Sequence, residues 1–183
     1  MSDSPDSLFR RLAAAQPDDK LPPVHLWHPE ETKDIGMRVT RDGTWWYQGS
    51  PIRRQRLVRL FSRVLRREGA DYFLVTPVEK VKVEVEVAPL LAVRMEVRGG
   101  PEPEIVFETN VGDLIVADDE HPILMHGTPQ APLPVLVVRH GIEALIARSV
   151  YYELVGQGEI TQKRGRETLV VRSRGARFEW GVL

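Results

Sequence analysis

The segment RDGTWWYQGSPIRRQRLVRLFSRVLRR, residues 41–67, gathers the side chains best suited to binding chemistry into one stretch. Arg56, Arg59, Arg63, Arg66 and Arg67 fall on one side of a helical wheel, and guanidinium groups make bidentate, salt-sensitive contacts with phosphate oxygens, so one reading of a helix over 51–68 is binding of nucleic acid or another anionic partner. Leu57, Leu60, Phe61, Val64 and Leu65 fall on the other side, so the arginines also read as the solvated face of an amphipathic helix, paired with acids elsewhere. The second reading is preferred at this net charge. Trp45, Trp46 and Tyr47 are β-prone, and on a strand Trp45 and Tyr47 face one way while Trp46 faces the other. At least one side packs into a core, and the other suits stacking on a base or ring, although aromatics on strands more often serve packing. Ser50 resembles a nucleophile only in isolation, because ahead of Pro51 it suits a helix cap.

Two clusters raise metal chemistry. His25 and His28 lie three apart with Glu30 nearby, and Asp118, Asp119, Glu120 and His121 form a dense acidic run, as a metal-assisted hydrolase would need. The histidine pair sits between Pro22-Pro23 and Pro29 rather than on a helix, and no second pair follows at a zinc-site interval. An acidic turn does not by itself converge on magnesium. Both clusters read as solvated loops. Phosphate loops, dinucleotide-binding glycine patterns, nucleophile elbows and kinase motifs are absent, so no catalytic residue, metal ligand or cofactor is assigned and a non-enzyme is the expectation.

Composition bounds the rest. The chain of 183 residues has a formal net charge of -1, 42% hydrophobic and 28% charged residues, the values of an ordinary globular protein with no global pull toward nucleic acid or anionic membranes. Without cysteine there are no disulfides or thiolate nucleophiles, which is compatible with a reducing cytoplasm. The start, MSDSPDSLFRRLAAAQPDD, lacks the pattern of a secretory signal, and no apolar run is long enough to span a bilayer. A cytoplasmic location is expected.

The elements that must position these groups follow from periodicity. Pro5 to Ala15 reads as a short helix carrying Leu8, Phe9 and Leu12, and Gln16 to Pro23 as a linker. Ile35, Met37 and Val39 alternate ahead of an Asp42-Gly43 turn and the strand Thr44 to Gln48, predicting a hairpin. A helix should then run from Pro51 to near Gly69. Tyr72 to Thr76 and the strand bearing Val81, Val83, Val85 and Val87 come next, with Lys80, Lys82, Glu84 and Glu86 on a wet face; an antiparallel sheet is expected. Leu91, Val93, Met95 and Val97 continue the alternation, and short strands are predicted at Ile105 to Thr109, Leu114 to Ala117 and Ile123 to Met125. After a proline-rich loop from Pro129 to Pro134 and a strand Val135 to Arg139, a second helix is expected on Ile142, Leu145, Ile146, Val150 and Leu154. Strands at Glu159 to Lys163, Thr168 to Arg172 and Arg177 to Trp180 close the chain, with Gly165 and Gly175 in the turns. Strand, helix, strands thus occurs twice. The fold class is α+β with mainly antiparallel sheets, organised as a helix and linker over 1–23 and two subdomains over 24–88 and 89–183.

The segments RDGTWWYQGSPIRRQRLVRLFSRVLRREG, YFLVTPVEKVKVEVE, FETNVGD and EALIARSVYYELV, in that order, resemble the bacterial domain-of-unknown-function family 1285 from about Trp27 onward. That resemblance implies a duplicated α+β core, a second half loosely like pleckstrin-homology folds, an interdomain pocket for a nucleotide-like ligand and a role in signal transduction. It directs attention to Thr76, Glu79, Lys80, Thr109, Asn110, Arg139, Arg148 and Tyr152. On this reading Lys80, Arg139 and Arg148 supply charge for phosphates, Thr109 and Asn110 orient the ligand, and Trp46 or Tyr47 stacks on its base. The bland alternative makes Thr76-Pro77 and Asn110 turn formers and Arg148 and Glu153 structural ion-pair residues. Where an acid is expected before Ala-Pro-Phe, this chain has Val87, Ala88, Pro89 and Leu90, which removes any ligand contact made by that acid. The expected partners are a nucleotide-like small molecule and a signalling protein; a homodimer is compatible with the composition, and neither membrane nor nucleic acid is expected.

Overall fold

The computed structural model describes residues 5–14 and 20–181. The chain divides into two compact units, Met1–Pro89 with His140–Ile142, and Leu90–Arg139 with Glu143–Leu183. No described helix is long and apolar enough to cross a membrane.

The first unit opens with α1 (Pro5–Ala14), whose Leu8 and Leu12 are fully buried. The predicted linker falls partly on residues 15–19, outside the described residues. Then come β1 (Glu31–Val39), β2 (Trp45–Tyr47), β3 (Ser50–Pro51), α2 (Gln55–Arg63), β4 (Leu65–Glu68), β5 (Asp71–Val75) and β6 (Glu79–Val85). They form a six-stranded sheet in the order β3-β2-β1-β6-β5-β4. The predicted hairpin is present: Gly43 takes φ +80 and donates to Thr40 O at 2.9 Å, closing the turn between β1 and β2. Trp45, 1% exposed, packs its ring 5.9 Å from that of Phe61 on α2, joining sheet to helix.

The second unit contains β7 (Leu90–Arg98), β8 (Glu104–Thr109), β9 (Leu114–Val116), β10 (Ile123–Thr128), β11 (Ala131–Arg139), β12 (Ile142–Ile146) apart from its first residue, α3 (Arg148–Gly156), β13 (Glu159–Lys163), β14 (Arg166–Ser173) and β15 (Ala176–Gly181). Its six-stranded sheet runs β10-β11-β12-β7-β8-β9, and β13-β14-β15 form a separate sheet. Numbered within its own unit, each six-stranded sheet has the order 3-2-1-6-5-4, and in each the first and sixth strands pair in parallel at the centre. The two units are therefore related by their sheets. Their helices are not equivalent, since α2 lies between the third and fourth strands while α3 follows the sixth.

Several sequence-based expectations are corrected. The helix predicted from Pro51 to Gly69 is only α2: Ser50 and Pro51 pair with Tyr47 and Trp46 as β3, and Arg54 occupies the cap position without a side-chain cap bond. Leu65 to Glu68 leave the helix because Gly69, at φ +62, turns them back on Leu74 to Asp71 as an antiparallel pair. The arginine stripe is divided accordingly, with Arg66 and Arg67 on a strand. Ile142 to Ile146, expected as helix, form β12, since its register beside Leu90 to Ala92 buries Ile142, Ala144 and Ile146. The valine strand lies antiparallel to β5 but parallel to β1, so the sheet is mixed. On β7 the buried positions are Leu90 and Ala92, while Val93 and Val97 are exposed, because a bulge between Ala92 and Arg94 shifts the alternation. Most of the proline-rich loop is strand. Pro132 and Pro134 sit opposite Gly127 and Met125, and the bond from Val137 N–H to Pro122 O places both prolines at positions that owe β10 no N–H.

Candidate functional site

The sequence reading of Trp46 leads to a cleft on the outer face of the first unit's sheet. Between Lys33 and Met37, β1 advances four residues while β6 advances two, from Val81 to Val83. The excess is a bulge at Asp34 to Gly36, where Gly36 takes φ +75 and donates to Asp34 Oδ1 at 3.0 Å. Gln48 donates to Gly36 O at 2.9 Å, bringing the tight Gln48-Gly49 turn beside the bulge. The result is a cleft of about 480 Å³ lined by Asp34, Arg38, Trp46, Gln48, Lys82 and Glu84 among others.

Register fixes its chemistry. Arg38 lies directly opposite Trp46 on β2 and Glu84 on β6, so these three form one row across three strands. Trp46 Nε1 donates to Thr40 Oγ1 at 3.2 Å, and that hydroxyl donates to Asp42 Oδ1 at 2.6 Å. The Thr40 hydrogen bond, with a second from the Thr44 amide, holds the Asp42 carboxyl below its ordinary pKa, keeping it an acceptor. This chain sets the indole's orientation. Arg38 pairs with Glu86, whose carboxyl is also held below the usual range, first by the Arg41 amide at 2.7 Å and then by Arg38. Lys82 is 3.5 Å from Asp71. Among the described residues Glu84 has no ionic or hydrogen-bonding side-chain partner. An aromatic surface thus stands among two cations in exchangeable pairs and two carboxylates, Asp34 and Glu84.

The other expected site residues are not drawn to this cleft. Tyr47 is half-buried opposite Met37, on the other face of β2. Thr76, 5% exposed, closes the turn before β6, its Oγ1 accepting the Glu79 amide at 3.0 Å. Glu79, 3% exposed, forms ion pairs with Lys33 at 2.8 Å and Arg11 at 3.1 Å. Lys80 Nζ lies 2.7 Å from Glu68 and 4.5 Å from the centre of the Phe73 ring. In the second unit, Thr109 Oγ1 accepts the Asp113 amide at 3.1 Å, and Asn110 Oδ1 accepts the Leu91 amide at 3.0 Å. Arg139 pairs with Asp113 at 3.0 Å, and Arg148 Nε donates to the exposed Tyr152 hydroxyl at 3.1 Å.

The arginines of the opening segment are spread among partners: Arg54 on Asp6, Arg63 on Lys20 O, Arg66 on Val24 O, Trp27 O and Glu68, and Arg67 on Gly69 O. Among the described residues no group of three or more histidines and acids is placed to hold a metal ion. Asp118 instead accepts the Glu120 and His121 amides, forming a turn. Asp34, Arg38, Gln48, Lys82 and Glu84 were not singled out by sequence, although Gly36 inside an alternating strand carries the signal of a bulge.

The family described as Domain of unknown function (DUF1285), N-terminal domain, matches residues 22–88, and Protein of unknown function (DUF1285), C-terminal domain, matches residues 89–180. A crystal structure at 2.50 Å of a DUF1285 family protein from Silicibacter pomeroyi DSS-3 is 42% identical, with 100% of this chain and 97% of that chain covered and a TM-score of 0.85. A second, at 1.40 Å from Shewanella baltica OS155, is 31% identical over 67% of this chain and 91% of that one, with a TM-score of 0.54. No curated protein matches the sequence significantly.

Proposed function

The chain belongs to the DUF1285 family over both of its units, and on that premise we propose that it is a non-enzymatic protein that binds a nucleotide-like ligand in signal transduction. The observation that carries this reading is the Trp46, Arg38, Glu84 row beside the β1 bulge. An indole face suits a base, lysine and arginine suit phosphates, and Asp34 and Glu84 suit ring amino groups or ribose hydroxyls. A phosphate would have to take Arg38 and Lys82 from Glu86 and Asp71. Exposed ion pairs contribute only about 0–1 kcal/mol, so that exchange costs little. Lys80 and Arg139 are more enclosed in their pairs, with side chains 20% and 14% exposed, and are less available to a ligand.

The test is a thermal-unfolding screen against mono-, di- and cyclic nucleotides at low and high salt. A ligand at a hundred times its Kd stabilises by about 2.7 kcal/mol, and each kcal/mol moves the midpoint of a chain this size by roughly 2–4 °C. One nucleotide class should raise the wild-type midpoint and lose that effect in Trp46→Ala and Lys82→Ala. No response across the panel, or an undiminished response in Trp46→Ala, removes this reading.

A further inference from the structure

The second unit holds a separate cleft of about 760 Å³, and consecutive residues of two strands line it: Met125 to Thr128 of β10, and Glu179 to Gly181 of β15. Successive strand residues point to opposite faces, so a cleft lined by consecutive residues abuts the edges of these strands rather than one face. Both are edge strands, β10 of the six-stranded sheet and β15 of the three-stranded one.

The pairing shows which backbone groups the edges leave open. The two-residue turn Arg174-Gly175, at φ +46 and +77, makes Ser173 and Ala176 a hydrogen-bonded pair. Alternation then directs the N–H and C=O of Glu179 away from β14. On β10 the Val137 to Pro122 bond likewise directs those of Met125 away from β11. No backbone bond joins these groups to another strand among the described residues.

We propose that this cleft binds an extended peptide of a partner protein by strand addition, one in which an acidic side chain alternates with an apolar one. The proposal is independent of the nucleotide reading. The side-chain preference follows from register. Arg166 shares a face of the small sheet with Glu179, and Arg166 has no ionic or hydrogen-bonding partner among the described residues. Glu179 is held by Lys163 and Arg177, so among the residues lining the cleft Arg166 is the cation left without a partner. Trp180 lies on the opposite face, offering an apolar wall to the alternate residue of a bound strand. Glu167 shares the Trp180 face and disfavours a second acid there. Tyr151, from α3, brings into the cleft a hydroxyl without a hydrogen-bonding partner among the described residues, available to a peptide carbonyl; burial pushes its pKa up.

The probe is a random ten-residue peptide library displayed on phage, panned on the full chain, followed by synthetic peptides of the enriched sequences. Enriched peptides should alternate acidic and apolar residues and slow exchange of the Met125 and Glu179 amides. Glu179→Pro removes an outward N–H without removing a ladder donor, and should weaken binding at least tenfold, whereas Glu179→Gln should change it less than about threefold. Should Glu179→Pro fail to fold, Met125→Pro applies the same test to the other edge. Peptides that bind wild type and both proline variants alike, protection confined to other strands, or failure to enrich any sequence would overturn the proposal. A concentration-dependent dimer abolished by Glu179→Pro would also overturn it, giving the edge to a second copy of the chain.

Discussion

Lys80 holds its ammonium group 2.7 Å from Glu68 Oε2 across the intervening strand β5, with Arg66 on the other oxygen of the same carboxylate. Glu68 is thereby kept below its ordinary pKa, chiefly by the Lys80 hydrogen bond, against the opposing effect of burial. A carboxyl whose folded pKa is depressed contributes stability above its unfolded pKa and loses it as pH falls through the folded value. The unfolding midpoint of the wild type should therefore decline below about pH 4.5, and Glu68→Gln should lack that component. Lys80→Ala should cost about 1 kcal/mol at neutral pH, the upper end for a pair near the surface. A pH profile of Glu68→Gln superimposable on wild type would contradict the assignment.

Ser173 is fully buried, and its Oγ accepts the Ile105 amide at 2.9 Å while donating to Ala117 O at 2.6 Å. One hydroxyl thus satisfies backbone groups of the large sheet from a strand of the small one. Ser173→Ala leaves a buried N–H and a buried C=O without that partner, and should lower unfolding free energy by about 1–3 kcal/mol in chemical denaturation. A loss below about 0.5 kcal/mol would mean that water or a backbone shift replaces the hydroxyl.

Sequence periodicity located most strands and turns because their determinants are local. Val81 and Val83 alternate with Lys82 and Glu84 and are buried as that pattern requires. The end of α2 was not legible, since Leu57, Phe61 and Leu65 keep helical spacing across the boundary and only pairing of Leu65 with Leu74 reveals it. Ile142 to Ile146 is similarly ambiguous as a short apolar run, resolved by its alignment with β7. The candidate cleft follows the same division. Alternation separates Trp46 from Trp45 and Tyr47 without saying which side is outer, and Lys82 and Glu84 reach the cleft through a parallel pairing of segments remote in sequence.

Gly127 and Gly69 separate two reasons for glycine. Both have positive φ, +79 and +62, where an L side chain costs about 1–2 kcal/mol. A Cβ at Gly127 would also lie 2.3 Å from Ala131 O, whereas at Gly69 nothing stands within 4 Å. Gly127→Ala should therefore destabilise the protein clearly more than Gly69→Ala, measured as the difference in unfolding free energy. Equal losses would show that the dihedral preference alone accounts for both.

Glu79 enters β6 with 3% of its surface exposed, and its charge is met by Lys33 at 2.8 Å and Arg11 at 3.1 Å. The hydrogen bond to Glu79 is the largest cause raising the Lys33 pKa. A raised lysine pKa contributes stability below its unfolded value of 10.5 that disappears as pH climbs through the folded one, so this contribution is lost only in alkali. Lys33→Met should lower the unfolding midpoint at pH 7, because it removes one of two cations from a carboxylate that water cannot reach freely. In Glu79→Gln the same lysine substitution should cost less, the buried charge having been removed first. The double-mutant cycle isolates that difference. Strictly additive losses would show that Lys33 acts through its packing against β6, whereas a smaller loss in the Gln background assigns its effect to the carboxylate.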